Sequence, residues 1–299
     1  MDRRTARLLN GALALCCLAL VFAAVYPFTT VDPHSKQPVD ERFTVPEADE
    51  YRATGAIVVD SVTALEFEGV VTADGGRYLS IDEGAVRTEQ YQASSDDPVY
   101  SRITVEDDGS TDRRRAQIQS DTDRELLRVN QTEGAVTFIV KQESENVADE
   151  VSGAASVVVM SLYPVGYERD TDTSQATAVY NPKNGWYEGR ETYHITEATG
   201  TVRTAGDTTA VRSATVTWDQ TRPAGTYAEF ALARLTGDDP KTIDISFQFE
   251  SSETTVTRPA WVTEVGTGAE AGQSRDASYG KAISYGLCGA VTPLRTVRE

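Results

Sequence analysis

Apolar and polar residues alternate with a period of two along much of this chain. Ile243, Ile245, Phe247 and Phe249 are separated by Asp244, Ser246 and Gln248, so an extended segment there turns one face to a core and the other to water. Val136, Phe138 and Val140 repeat the design. Leu65, Phe67 and Val71 stand opposite Glu66, Glu68 and Thr72, while Tyr187, Glu191, Tyr193 and Ile195 interleave with Glu188, Arg190, Thr192 and His194. Turn signals fall at Asp74-Gly75-Gly76, Asp108-Gly109, Thr199-Gly200 and Gly206-Asp207, where glycine permits positive φ. Short strands joined by tight turns pair antiparallel. One segment breaks the rhythm. From Asn146 to Met160, acids come early, small and branched apolar residues come later, and Pro164 lies just beyond, which predicts a helix lying against a sheet. A buried strand over Ser156 to Leu162 competes, because Val157-Val158-Val159 favours extended backbone. The segments on either side look like two similar meanders, and no repeat of solenoid period is present. The expected fold is mainly β with one helix packed on the sheet (α+β), as a curved antiparallel meander or open half-barrel, behind an N-terminal transmembrane helix.

That last element comes from Leu8 to Tyr26, an uncharged apolar run behind Arg3, Arg4 and Arg7. At about 1.5 Å per residue it reaches about 28 Å, close to the hydrocarbon thickness of a bilayer. The basic start keeps residues 1–7 cytoplasmic, and the chain beyond Tyr26 is placed outside the cell membrane after a single pass. Two other readings of the run stay open: a signal cleaved after Val21-Phe22-Ala23, and a lipoprotein modified at Cys16. Residues 27–50, with Pro27, Pro33, Pro38 and Pro46 among charges, read as a stalk. Residues 51–262 form the exterior β domain, and 263–299 a flexible Gly/Ala/Ser-rich tail.

Composition changes the picture of the solvent. Acids outnumber bases 46 to 28, and the lysines are only Lys36, Lys141, Lys183, Lys241 and Lys281. A net charge of −18 opposes compaction in ordinary salt, and at 1 M salt a screening length of about 3 Å removes most of that penalty. Scarce lysine with abundant Asp, Glu, Thr and Ala is the halophilic pattern, and it predicts a haloarchaeal source. The same charge argues against nucleic acid or anionic lipid as a partner. It also weakens any single carboxylate cluster as a sign of a site. Cys16 and Cys17 lie in the apolar run and only Cys288 lies outside it, so no disulfide staples the exterior domain.

Catalytic signatures are sparse. The histidines are His34, in the stalk, and His194, on the polar face of an expected strand, which gives neither a zinc set nor a Ser-His-Asp triad. Ala282-Ile283-Ser284-Tyr285-Gly286 has the spacing of a nucleophile elbow without strand-turn-helix context. Gly266, Gly268 and Gly272 are misspaced for a dinucleotide fingerprint. Asp170-Thr171-Asp172-Thr173-Ser174 begins like a calcium loop but lacks its glycine and closing glutamate, and Asp107 to Asp112 is similarly incomplete. Arg113-Arg114-Arg115 reads as a loop balanced by Asp107, Asp108 and Asp112. No cofactor, metal or catalytic residue is called for. Asn130-Gln131-Thr132 is a complete glycosylation acceptor on the side expected to be exterior.

The run Asn184 to Tyr193, Trp218, Pro223-Ala224-Gly225-Thr226-Tyr227 and Arg258-Pro259-Ala260-Trp261-Val262 resembles, over about residues 51–262, uncharacterised haloarchaeal membrane-anchored surface proteins. Their strand meanders in turn look like the open sheets of LolA-type and LppX-type lipoprotein carriers, which hold acyl chains on a concave apolar face closed by helices. The resemblance implies a non-catalytic cell-surface binding or scaffold domain, in its sharper form a carrier of lipid or another amphiphile. In that form Val136, Phe138, Val140, Ile243, Ile245, Phe247 and Phe249 face the ligand. The remaining partners are the membrane, through Leu8 to Tyr26, and an envelope protein. The alternative of another class is an extracytoplasmic hydrolase working with paired carboxylates about 5 to 9.5 Å apart.

Overall fold

The computed structural model describes residues 42–266 except 108, 110, 144–145, 171–176, 189–191 and 207. The apolar run, the N-terminal part of the expected stalk and nearly all of the tail lie outside the described residues. Among the described residues no helix is long and apolar enough to cross a membrane.

In chain order the elements are β1 (Tyr51–Val59), β2 (Val62–Val71), β3 (Arg77–Asp82), β4 (Val86–Gln92), β5 (Val99–Glu106), α1 (Thr111–Ser120), β6 (Arg124–Thr132), β7 (Ala135–Gln142), α2 (Val147–Met160), β8 (Gly166–Arg169), β9 (Thr177–Lys183), β10 (Gly185–Glu188), β11 (Thr192–Ala205), β12 (Val211–Gln220), α3 (Tyr227–Leu235), β13 (Lys241–Glu250) and α4 (Ala260–Gly266). All strands join one 13-stranded open sheet in the order β6-β7-β5-β4-β3-β2-β1-β13-β12-β11-β9-β8, with β10 on β11. The named strands pair antiparallel throughout. The strands before α2 form one half and those after it the other. The halves meet where the first strand pairs with the last, Gly55 opposite Phe247 and Val59 opposite Ile243.

α2 lies across that seam. Its buried residues Val147, Val151, Ala154, Ala155, Val158 and Val159 recur at helical spacing, and this periodicity overrides the β preference of the valine run. Asn146 caps the helix, its side chain accepting from the Ala148 N–H at 3.1 Å. The sheet supplies a second cap: the Gln92 amide oxygen accepts from Val147 N–H at 3.4 Å and from Arg77 at 3.1 Å. Beneath the helix the sheet carries Gly55 and Gly69, whose missing β-carbons leave room for Val158 and Val151. Of the expected stalk, the described residues pack into this core: Phe43 is wholly buried, edge-on to Tyr167 and Tyr180.

Four differences from the sequence reading have physical causes. There are four helices among the described residues where one was expected. α1 buries only Ile118, so its sequence shows no apolar stripe, and Arg113-Arg114-Arg115 lie in this helix rather than in a loop. The alternating residues from Tyr187 to Ile195 fall on two antiparallel strands, β10 and β11, with Tyr187 opposite Tyr193, and the strand β5 before the hairpin signal at 108–109 is followed by α1 rather than by a strand. Thr199-Gly200 is not a turn. It lies within β11 beside a bulge; Gly200 has φ +105°, and the Thr215 carbonyl passes where a β-carbon would sit, so both backbone and space call for glycine. The tight turn joining β1 to β2 uses Asp60 and Ser61, both at positive φ without any glycine.

Candidate functional site

The register puts every apolar candidate on one face of the sheet, the face that carries α2. Phe138 and Phe247 fall in one cross-strand row through Ile103, Thr88, Ile81, Phe67 and Gly55. The candidates nevertheless belong to separate clusters. Ile245, Phe247 and Phe249 are 1 to 3 % exposed in the main core, with Ile243 partly buried against it. Val136, Phe138 and Val140 are 0 to 3 % exposed with Val105 and Ile118 of α1. Each set is thus covered by a helix of the chain itself.

Between the two clusters the surface changes character. Gln90 and Ser101, paired across β4 and β5, are buried polar residues, and the Gln90 side-chain oxygen makes no hydrogen bond. Ile81, Thr88 and Ile103 in the same region are only half-buried. A buried acceptor without a donor is costly, by about 1–3 kcal/mol, so this strip is where the α2 face is least satisfied.

The reverse face is polar in its middle and holds two open grooves. One, of about 340 Å³, is lined by Arg52, Thr54, Glu68, Gln248 and Glu250 on β1, β2 and β13. Arg52 pairs with Glu68 at 2.6 Å in an exposed ion pair. The other, of about 500 Å³, runs along α3 between Arg222, Glu229, Leu232 and Asp238. Neither groove is lined by the apolar candidates. Toward the β6 edge, α4 seats Trp261 and Val262 against Tyr91 and Ile139, with the Arg102 guanidinium 5.5 Å from the Trp261 ring centre and bonded to Glu89. Asn130 is exposed on the edge strand β6, where a glycan would meet no neighbouring strand.

His194 sits at the other end of the reverse face and is not the water-facing residue the alternation implies. Its ring stacks on Trp186 at 4.3 Å, Phe230 of α3 stands edge-on to both, and its backbone is tied to Thr221 by two bonds of 3.0 Å. Burial pushes the imidazole pKa below its ordinary value. α3 itself had a readable signal: Thr226 accepts from the Glu229 N–H at 3.2 Å while Glu229 accepts from Gly225 at 2.9 Å, a reciprocal cap of the Thr-x-x-Glu kind. Burial also raises the pKa of the Tyr167 hydroxyl, which bonds the Leu162 carbonyl at 3.1 Å and so serves the core. Among the described residues no group of three metal-ligating side chains converges. In comparison with known proteins, no protein family, curated protein or solved structure matches this chain.

Proposed function

We propose that the chain is a single-pass, membrane-anchored exterior domain of a halophile that works by binding or scaffolding at the cell surface, not by catalysis. The observation that carries this reading is the self-sufficiency of the α2 face. Phe138 and Phe247, the aromatic residues on which a ligand-holding sheet would depend, are 0 % and 3 % exposed beneath α1 and α2, so the chain fills its own apolar face and presents a polar reverse face to partners. The apolar run Leu8 to Tyr26 and the acidic balance supply the anchor and the salt. The hydrolase alternative would need a carboxylate pair such as Glu68 and Glu250 in one groove, where Arg52 already holds Glu68, or Glu229 and Asp238 in the other, where Glu229 already accepts from the Gly225 N–H.

The carrier reading retains one specific support, the half-buried strip of Ile81, Thr88 and Ile103 with the unpartnered Gln90 oxygen between the helices. Photo-crosslinking of a reactive fatty acid to the full-length protein in nanodiscs, read by peptide mass spectrometry, separates the two. A scaffold gives no label on β3 to β5. Label there that disappears in Ile103→Asp, with the fold intact, replaces the scaffold reading with the carrier.

A further inference from the structure

After β13 the chain turns back over the reverse face and crosses the strands of the first half. Beyond the end of β13 the Ser251 hydroxyl accepts from Arg212 at 3.0 Å. Thr254 then meets the ends of β1 and β2: its N–H donates to the Glu50 carboxylate at 2.5 Å, and its hydroxyl donates to the Val71 carbonyl at 3.2 Å. Farther on, Trp261 and Val262 of α4 pack on Tyr91 of β4 and Ile139 of β7, and Glu264 pairs with Arg128 of the edge strand β6 at 3.6 Å. Residues 251–266 thus form a strap from the seam to the β6 edge.

The grip of this strap differs from that of the strands. Residues 252–258 make no backbone-to-backbone hydrogen bond among the described residues, and what α4 buries is a small cluster separate from the main core. The Trp261 indole N–H is buried without an acceptor, so the closed strap denies it the bond that water would give. Beneath the indole, Glu89 holds Arg102 and accepts from the Tyr78 hydroxyl at 3.2 Å. Lifting Trp261 therefore leaves neither charge unpaired. A segment with few backbone bonds, a cluster of its own and an unmet donor opens at a lower free energy than the domain as a whole. One residue ties this segment to the other side of the sheet. Glu50 immediately precedes β1 and ends a segment whose Phe43 is wholly buried in the main core, with Val45 and Ala48 packed against it. Residues 43–50 and the strap thus meet at the Glu50 carboxylate.

We propose that residues 251–266 are a releasable strap latched by Glu50, a conformational switch that opens while the 13-stranded sheet stays folded. Opening uncovers Tyr91 and Ile139 and frees Trp261 and Val262, so a patch of the reverse face changes from covered to apolar and accessible. The latch couples the two sides of the sheet. Whatever displaces Glu50 from Thr254 loosens the strap, and by linkage whatever holds the strap open loosens the hold on residues 43–50. The switch stands on the described residues alone and does not depend on the anchor or on the scaffold reading.

Thiol exposure tests this in the full-length chain, in nanodiscs at molar salt, with Cys16, Cys17 and Cys288 replaced by serine. Single cysteines go into the strap (Val262→Cys), beneath it (Ile139→Cys) and, as control, into the main core of the same half (Val99→Cys). Labelling rates across sub-denaturing urea give an opening constant for each position. Val262→Cys and Ile139→Cys should share one constant, at least about 100-fold larger than that of Val99→Cys and with a shallower urea dependence. Glu50→Ala should raise the shared constant about tenfold, and Glu50→Gln, which keeps an oxygen for the Thr254 N–H, should stay within about threefold of the parent. Neither should move Val99→Cys. One constant and one urea slope at all three positions would mean that the strap opens only with the whole domain, and the proposal fails. Opening at Val262→Cys without Ile139→Cys overturns the uncovering of the sheet. A strap that opens by itself yet ignores Glu50→Ala overturns the latch.

Discussion

Gly69 lies directly beneath Val151: a β-carbon on Gly69 would overlap both methyl groups of that side chain, with Cγ2 at 2.9 Å. The contact fixes how closely α2 rides on the sheet. Gly69→Ala should therefore cost about 1–3 kcal/mol by overpacking, read as a fall in the denaturant midpoint at unchanged slope. Adding Val151→Ala removes the obstructing methyls, so the double variant should lose less than the sum of the two single losses. Strict additivity would mean that helix and sheet do not press on one another at this point.

Glycines elsewhere separate backbone need from mere presence. Gly200 has φ +105° and its β-carbon would strike the Thr215 carbonyl, whereas Gly153 is exposed in α2 with nothing within 4 Å of its β-carbon position. Gly200→Ala should destabilise by roughly 3 kcal/mol or more. Gly153→Ala should stabilise by about 1 kcal/mol, through helix propensity alone. Thermal melts of the two variants in the same buffer check the opposite signs.

Phe247 is the sharpest probe of the filled α2 face. It is 3 % exposed, stands opposite Gly55 and belongs to the same core cluster as Val158. Phe247→Asp removes the ring and buries an unpaired carboxylate, a loss of about 3–5 kcal/mol, and the domain should unfold or melt far lower. Near-native circular dichroism and melting in this variant would show that the position opens onto solvent or a ligand.

These residues also show why parts of the fold were legible and others were not. The alternation at Ile243 to Phe249 needs only local backbone geometry to be read, and the same holds for the helical spacing of Val147, Val151 and Val158. Gly200 misleads because a glycine that makes room for a neighbouring strand looks the same in sequence as one that makes a turn. α1 offers Ile118 as its sole buried residue, too little for a stripe. His194 alternates as a water-facing residue should, and it is covered because Trp186 stacks on it from β10 and Phe230 arrives from a helix beyond the whole of β12. Which face a helix returns to is a non-local fact. For the same reason the sequence pattern selects the apolar candidates as one face but says nothing of the two helices that divide them.

The charge balance makes a prediction independent of any site. With a net charge of −18, the chain repels itself, and added salt shortens the range of that repulsion without touching the buried core. The melting temperature should climb as sodium chloride rises from a few tenths molar to several molar, and potassium chloride should do the same. A flat or falling curve would separate the acidic composition from salt adaptation.

His194 gives the domain a pH dependence whose sign is set by its surroundings. Stacking on Trp186 under Phe230 takes the imidazole partly out of water, which disfavours the charged form and lowers its folded pKa below the unfolded value of about 6.5. Between those two values the unfolded chain binds the proton that the folded chain refuses. Stability is then full above about pH 6.5, falls as pH drops toward the folded pKa, and levels off below it as far as this residue is concerned. His194→Phe keeps an aromatic ring against Trp186 and removes the titration. Melting temperatures of wild type and variant should therefore keep a constant difference above pH 7 and draw apart as pH falls below about 6.5, with the wild type losing ground to the variant. Parallel curves across that interval would place the ring in water in the folded protein and contradict the stacked arrangement.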